Sequence, residues 1–205
     1  MFGIIDGDGM STDRRRERRQ RGIYALDSYS LESLYYHPSI QSLAMKRFNE
    51  AIGAKAGNKL QDAAGKAFSS IPQHSERLTN RIAARTVRDR LWKGIPVNEQ
   101  SLLSSPITIS ADGPNILAEE TNSLISLLAA GDLSGIISRY PLRETQALTE
   151  IAKALGFSNR AQYESTVRAP MVESAEARKT IEECFGGMID DLRKATFIPA
   201  LTNLI

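Results

Sequence analysis

The sequence predicts an α/β start followed by an all-α extension: a small parallel sheet at the N-terminus, then a mostly helical region. Three observations carry that prediction. Two short apolar runs, Phe2-Gly3-Ile4-Ile5 and Ile23-Tyr24-Ala25-Leu26, flank a polar segment long enough for one short helix. From Pro38 onward, apolar residues recur at helical spacing. Only one later run, Ile107-Thr108-Ile109, has strand character, and it is short.

The first run is rich in β-branched residues and ends in Asp6-Gly7-Asp8-Gly9, as a buried parallel strand ends in a loop at its C-terminal edge. Ser11, Thr12 and Asp13 offer N-caps for a helix through the arginine run, and Gly22 stops it. The second run ends at Asp27, which completes a βαβ unit with a right-handed crossover. Pro38 suits the first turn of a helix to about Ile52, with Ile40, Leu43, Ala44, Phe48 and Ile52 on one face. The spacing predicts further helices over 57–71, 74–93, 114–130, 133–139, 143–155, 159–168 and 174–194. Residues 1–37 therefore read as the α/β segment and 38–205 as the helical region. The segment 95–113, with Pro96, Pro106 and Gly113, reads as a linker or loop. A two-stranded parallel sheet is a poor independent core, so neighbouring strands are expected from a preceding segment or a partner.

The chain has 205 residues, 41% hydrophobic and 24% charged, as in an ordinary soluble globular domain. The single cysteine, Cys184, excludes an intrachain disulfide, and two histidines argue against a zinc site. With no apolar run of membrane-spanning length and no signal-peptide pattern, the chain reads as cytoplasmic with no membrane partner. The net charge of +2 identifies no partner, but its distribution does. Six of the eight residues 14–21 are arginine, and Arg77, Arg81, Arg85, Arg88, Arg90 and Lys93 form a second basic series. Taken alone, such runs are solvated helix faces. Beside carboxylates they point to phosphate, with Arg14, Arg15, Arg16 and Arg18 as the nucleic-acid contacts, on DNA or RNA.

Asp6 and Asp8 stand one residue apart in a glycine turn, where both can address one ion. Oxygen ligands of this kind suit Mg²⁺ or Mn²⁺, which retain waters and bind phosphate oxygens. Crowding two carboxylates without a cation costs several kcal/mol, roughly, in a low-dielectric site. The bland alternative is a surface Asp-Gly turn. Adjacent parallel strands deliver their loops to one sheet edge, so Ser30 and Glu32 are expected to face the aspartates. Glu32 equally suits the first turn of a helix, where the dipole favours it. His37, before Pro38, reads as closing a turn rather than ligating a metal, and Tyr35, Tyr36 and Trp92 as packing residues rather than platforms for a stacked base.

On Ile4-Ile5-Asp6-Gly7-Asp8, Gly22-Ile23-Tyr24-Ala25-Leu26 and Ser30-Leu31-Glu32-Ser33-Leu34, the chain resembles the TOPRIM fold of topoisomerases, primases and some nucleases. It looks nearest to the overcoming-lysogenisation-defect (OLD) nuclease type, in the bacterial family that works beside ABC-type ATPases in phage defence. Arg139-Tyr140-Pro141-Leu142-Arg143-Glu144 also looks family-like. The resemblance is specific over residues 2–38. It implies that Asp6, Asp8 and Glu32 are catalytic, that Ser30 joins them as metal ligands, and that Mg²⁺ or Mn²⁺ is the cofactor. It also implies an ATPase partner, with self-association left open. TOPRIM proteins use a further glutamate from a strand preceding the aspartates, and only five residues precede Asp6. Nuclease activity is therefore expected only once such a segment completes the site. In that two-metal chemistry Lys55, Lys59 or Arg143 is the candidate transition-state cation.

Two other functions fit the same residues. A haloacid-dehalogenase-type phosphatase would use Asp6 and Asp8 as nucleophile and acid/base. It expects Thr or Val at Met10 and an acidic pair following a strand, whereas Asp190-Asp191 falls in a helical pattern. A catalytically inactive, ATPase-docking interaction domain would keep the acidic loop as an inherited half-site.

Overall fold

The chain folds as a short parallel β pair joined to a helical body. The computed structural model describes residues 3–52, 58–95, 98, 100, 103, 107–184 and 189–190. Strands β1 (Gly3–Ile5) and β2 (Ile23–Ala25) pair in parallel, with Ile4 opposite Tyr24 and Ile5 opposite Ala25. Helix α1 (Thr12–Gln20) makes the crossover. The Ser11 hydroxyl accepts the Arg14 N–H at 3.4 Å, the side-chain cap that its residue type predicts. Gly22, at φ 74°, turns the chain straight into β2.

α1 has no buried residue, so packing of an apolar face does not hold it. Polar contacts tie it to the body instead, Arg14 to Asp89 on a distant helix and Arg15 to Leu26 O and Asp27, while Arg16–Asp13 and Arg21–Glu17 are exposed pairs within the helix. β2 is buried, with Tyr24 and Ala25 each 4% exposed. β1 is not, which corrects the expectation of a buried strand: Ile4 is 47% exposed. Among the described residues only β2 pairs with β1, so its outer edge stays open.

After β2 the chain enters a 3-10 helix over Leu31–Tyr36 and then α2 (Pro38–Ile52). Next come α3 (Lys59–Ser70) and α4 (Ser75–Lys93). α5 (Gly113–Ala129) and α6 (Leu133–Arg139) follow, both capped by aspartates, Asp112 and Asp132. The last helices are α7 (Ala147–Ala154), α8 (Arg160–Glu173) and α9 (Ala175–Cys184). α7 starts later than the spacing predicts, because residues 142–144 form a 3-10 turn and the Thr145 hydroxyl accepts the Ala147 N–H at 3.1 Å. Ile107-Thr108-Ile109 forms no strand, a second correction. Among the described residues it has no strand to pair with, and Ile109 packs beside Gly94 at the end of α4. Phe2, Lys55, Pro96, Pro106 and Asp191 lie outside the described residues.

α3 packs on α7, α4 on α5, and α2 on α8. One core joins them, centred on Tyr36, Tyr140 and Tyr163 at 0% exposure and extending to Tyr29 beside the acidic loop. The buried residues of α4, Leu78, Thr79, Ile82 and Ala83, take one face of that helix. Arg81, Arg85, Arg88 and Trp92, at i, i+4, i+7 and i+11, are left along another. No helix among the described residues is long and apolar enough to cross a membrane.

Candidate nucleic-acid interface beside an acidic loop

The parallel pairing brings the loops after β1 and β2 out at one edge, and hydrogen bonds zip them together. Leu26 donates its N–H to Ile5 O at 3.0 Å, and Asp8 donates its N–H to Tyr29 O at 2.6 Å. The Leu31 N–H, at the start of the 3-10 helix, donates to Asp6 Oδ1 at 3.1 Å. Gly7 is buried where a Cβ would collide with the Leu26 and Ser28 carbonyls. Gly9, at φ 68°, sits against Ile82 of α4 and the Arg139 carbonyl, each 2.8 Å from where a Cβ would stand. Asp8 itself takes φ 50°, a left-handed conformation that Asp tolerates better than most residues. The loop is thus anchored to the sheet edge, to α4 and to the end of α6.

Arg15 closes this arrangement from beneath. Its guanidinium donates to Met10 O at 3.1 Å, to Leu26 O at 2.7 Å and to Asp27 Oδ1 at 2.6 Å. Those bonds turn its charge inward, whereas Arg16 pairs with Asp13 on the exposed side of α1. Of the four arginines the sequence singles out for phosphate, Arg14 and Arg18 line the hollow between α1 and α4, while Arg15 lines a separate one with Asp27 and Arg139.

Tested against a divalent ion, the donor set fits in part. Asp6 is exposed and has one oxygen engaged by a backbone N–H, which leaves the other for a ligand. Asp8 keeps its carboxylate at the loop surface, where Oδ2 meets Arg85 Nη1 at 3.0 Å. Two carboxylates suit an ion that keeps most of its waters. Ser30 does not join them: it is 3% exposed and its hydroxyl shares a hydrogen bond of 3.0 Å with Ser33. Glu32 lies half-buried in the first turn of the 3-10 helix. Among the described residues no three Asp, Glu, His or Cys side chains gather closely enough to hold a metal by themselves. Arg85 supplies part of the counter-charge that the sequence assigns wholly to an ion. It also donates to the Asp8 carbonyl at 2.9 Å.

Beside Asp8 opens a hollow of about 410 Å³ lined by Arg14, Arg81, Arg85 and Arg88, with Tyr29, Asp89 and Trp92. A second hollow of about 390 Å³ lies between α1 and the end of α4, lined by Arg18 and Lys93 and by Arg21 with its partner Glu17. Arg14, Asp89 and Trp92 border both. Arg81 is held by Tyr29 and by an ion pair to Glu144. The Arg14 guanidinium is pushed below its ordinary pKa, first by burial and then by the charges of Arg18 and Arg85, against Glu17. In the wall beside Asp8, four arginines stand against two aspartates, so cations outnumber acids there.

Trp92 reverses the expectation of a packing residue, being 73% exposed at the groove rim. Its i, i+4 relation to Arg88 is visible in the sequence; its exposure is not, because α4 buries the face marked by Leu78 and Ile82. Tyr36 is a packing residue, fully buried with its hydroxyl donating to Glu164 at 2.9 Å. Tyr35 lies under the Arg168 guanidinium at 5.8 Å. His37 receives the Ser39 N–H on Nδ1 at 3.4 Å and meets the Ser134 hydroxyl through Nε2 at 3.2 Å. A ring with Nδ1 accepting carries its proton on Nε2, so it cannot also take one from Ser134.

The Arg139–Glu144 segment has a structural place. Arg139 forms a two-pronged pair with Glu120, which is 5% exposed on α5, and Tyr140 OH donates to Glu120 O at 3.2 Å. Glu144 is the partner of Arg81. The segment therefore ties α5, α6 and the arginine groove together. Asp190 is exposed and its side chain is grouped with no acidic cluster among the described residues. In comparisons with known proteins, no family model, curated sequence or solved structure matches this chain.

Proposed function

We propose that this chain carries the aspartate-bearing part of a TOPRIM-type nuclease of the OLD kind, acting on nucleic acid with an ATPase partner in phage defence. The observation that carries the reading is the shared hollow: Asp8 stands in the same wall as Arg14, Arg81, Arg85 and Arg88. Arginines hold phosphate oxygens in forked geometry, and a carboxylate loop among them suits a cation that phosphate helps to bind. A divalent ion bound there supplies charge stabilisation for phosphodiester hydrolysis. Asp6 and Asp8 are its ligands in this reading, with Glu32 as a further carboxylate from the neighbouring loop. Arg85 holds Asp8 in place, Arg88 seats phosphate, and Arg81, tied to Glu144 and Tyr29, fixes the wall behind them. Arg15 keeps the loops joined.

The test is nucleic-acid affinity measured with and without Mg²⁺ at fixed ionic strength. Mg²⁺ is expected to tighten binding, because the ion bridges carboxylate and phosphate. In Asp6→Asn/Asp8→Asn that increment disappears while metal-free binding persists. An increment of the same size in the double variant removes the aspartates from the reading. Tight binding of an ATPase with no effect of Mg²⁺ anywhere turns it toward the docking-only module.

A further inference from the structure

The two basic hollows have Arg14, Asp89 and Trp92 in common in their walls, which places a large aromatic ring between them. Trp92 is 73% exposed, and its indole stands among cations in the walls of both hollows, an arrangement that suits a ligand with both phosphate and a flat aromatic face. It is set one turn from Arg88 and next to Lys93, and across the groove stands Arg18 on α1. None of Arg18, Arg88 and Lys93 forms an ion pair among the described residues, so their charges are open to a ligand. Arg81 to Trp92 spans about 16 Å along the helix axis, at 1.5 Å per residue.

We propose that this groove binds single-stranded nucleic acid, with phosphates on Arg18, Arg88 and Lys93 and an unstacked base lying on the Trp92 ring. The proposal rests on the nucleic-acid reading above and names the form of that ligand. The physical reason for a single strand is the ring itself. In a duplex both faces of each base are covered by neighbouring bases, so an exposed indole gains nothing from it. A single strand offers free π-faces, and stacking of this kind tolerates any sequence. Cations beside the ring fix the backbone without reading bases. Arg88 and Trp92 also line the hollow that holds Asp8, so a strand bound on them lies beside the acidic loop.

Trp92 is the chain's single tryptophan, so its emission reports on this site alone. The experiment titrates the full chain with an oligothymidine of about a dozen nucleotides, in EDTA, and follows tryptophan fluorescence. Binding is expected to quench the emission, and an equal length of duplex is expected to leave it unchanged. Trp92→Ala, followed by anisotropy of a labelled oligothymidine, is expected to lose affinity by about tenfold. In Arg18→Gln/Arg88→Gln the slope of log affinity against log salt should fall by about 0.7 for each phosphate contact removed. Retained circular dichroism shows that each variant is folded. A duplex that binds with a steep salt slope while the single strand leaves Trp92 unquenched overturns the inference and keeps the nucleic-acid reading. Failure of both ligands to bind overturns both. Because no divalent ion is present, the outcome is independent of whether Asp6 and Asp8 hold one.

Discussion

Gly7→Ala is expected to detach the acidic loop from the edge of the sheet. The added methyl would sit inside the van der Waals envelope of two backbone carbonyls, Leu26 O and Ser28 O, neither of which can rotate aside as a side chain would. Relief requires the loops after β1 and β2 to part, with loss of the Asp8 N–H bond to Tyr29 O and the Leu31 N–H bond to Asp6. Forcing atoms into a packed site costs about 1–3 kcal/mol, and backbone neighbours put this case at the upper end. Chemical denaturation measures that loss. Because the loop positions both aspartates, the Mg²⁺-dependent increment in nucleic-acid affinity should go as well. Gly3→Ala is the control, since a Cβ there meets nothing within 4 Å. Equal stability of Gly7→Ala and Gly3→Ala would contradict the close approach of the two loops.

Arg139→Ala is expected to have the other large effect, on stability. Glu120 is 5% exposed, and both its oxygens are taken by the Arg139 guanidinium. Burial alone would lower the Arg139 pKa, yet hydrogen bonding and the charge of Glu120 outweigh it and hold the group raised. Removing the cation strands a buried carboxylate, which costs about 3–5 kcal/mol, the lower figure applying because Arg139 is itself partly open to water. For a chain of this size that is a fall in Tm of roughly 10 °C. Glu120→Gln alone should cost less, because the arginine left behind can reach solvent. The double variant Arg139→Ala/Glu120→Gln should be more stable than Arg139→Ala. Thermal unfolding of the three variants decides the order. If the double variant is the least stable, the loss is one of packing and not of a stranded charge.

What the sequence made legible is local. Ser11, Gly22 and Pro38 set helix ends by their own side-chain chemistry or backbone preference, and the elements begin and end beside them. The order strand, helix, strand placed the Asp6 and Asp27 loops at one edge, as the pairing of Ile5 with Ala25 requires. What it left hidden depends on partners far along the chain. Arg85 reaches Asp8 across 77 residues, and nothing in either neighbourhood announces the pair. Arg15 reads like its neighbours in the arginine run, yet position on α1 turns it to Leu26 and Asp27 while Arg14 and Arg18 face the groove. Ser30 stands two positions from Glu32, as a shared ligand set would require. A 3-10 turn instead points its hydroxyl at Ser33. β1 looks buried by composition, but burial is a property of its neighbours, and Ile4 has none on its outer side among the described residues.

A divalent ion at the acidic loop is tested by a Mn²⁺ titration followed by electron paramagnetic resonance, in which the signal of the free aqueous ion falls as the protein takes it up. Wild-type protein should remove about one ion per chain, as two carboxylates with bound water can hold. Asp6→Asn/Asp8→Asn, folded by circular dichroism, should leave the free signal unreduced. Equal uptake by both proteins, or none by the wild type, contradicts a metal site at this loop.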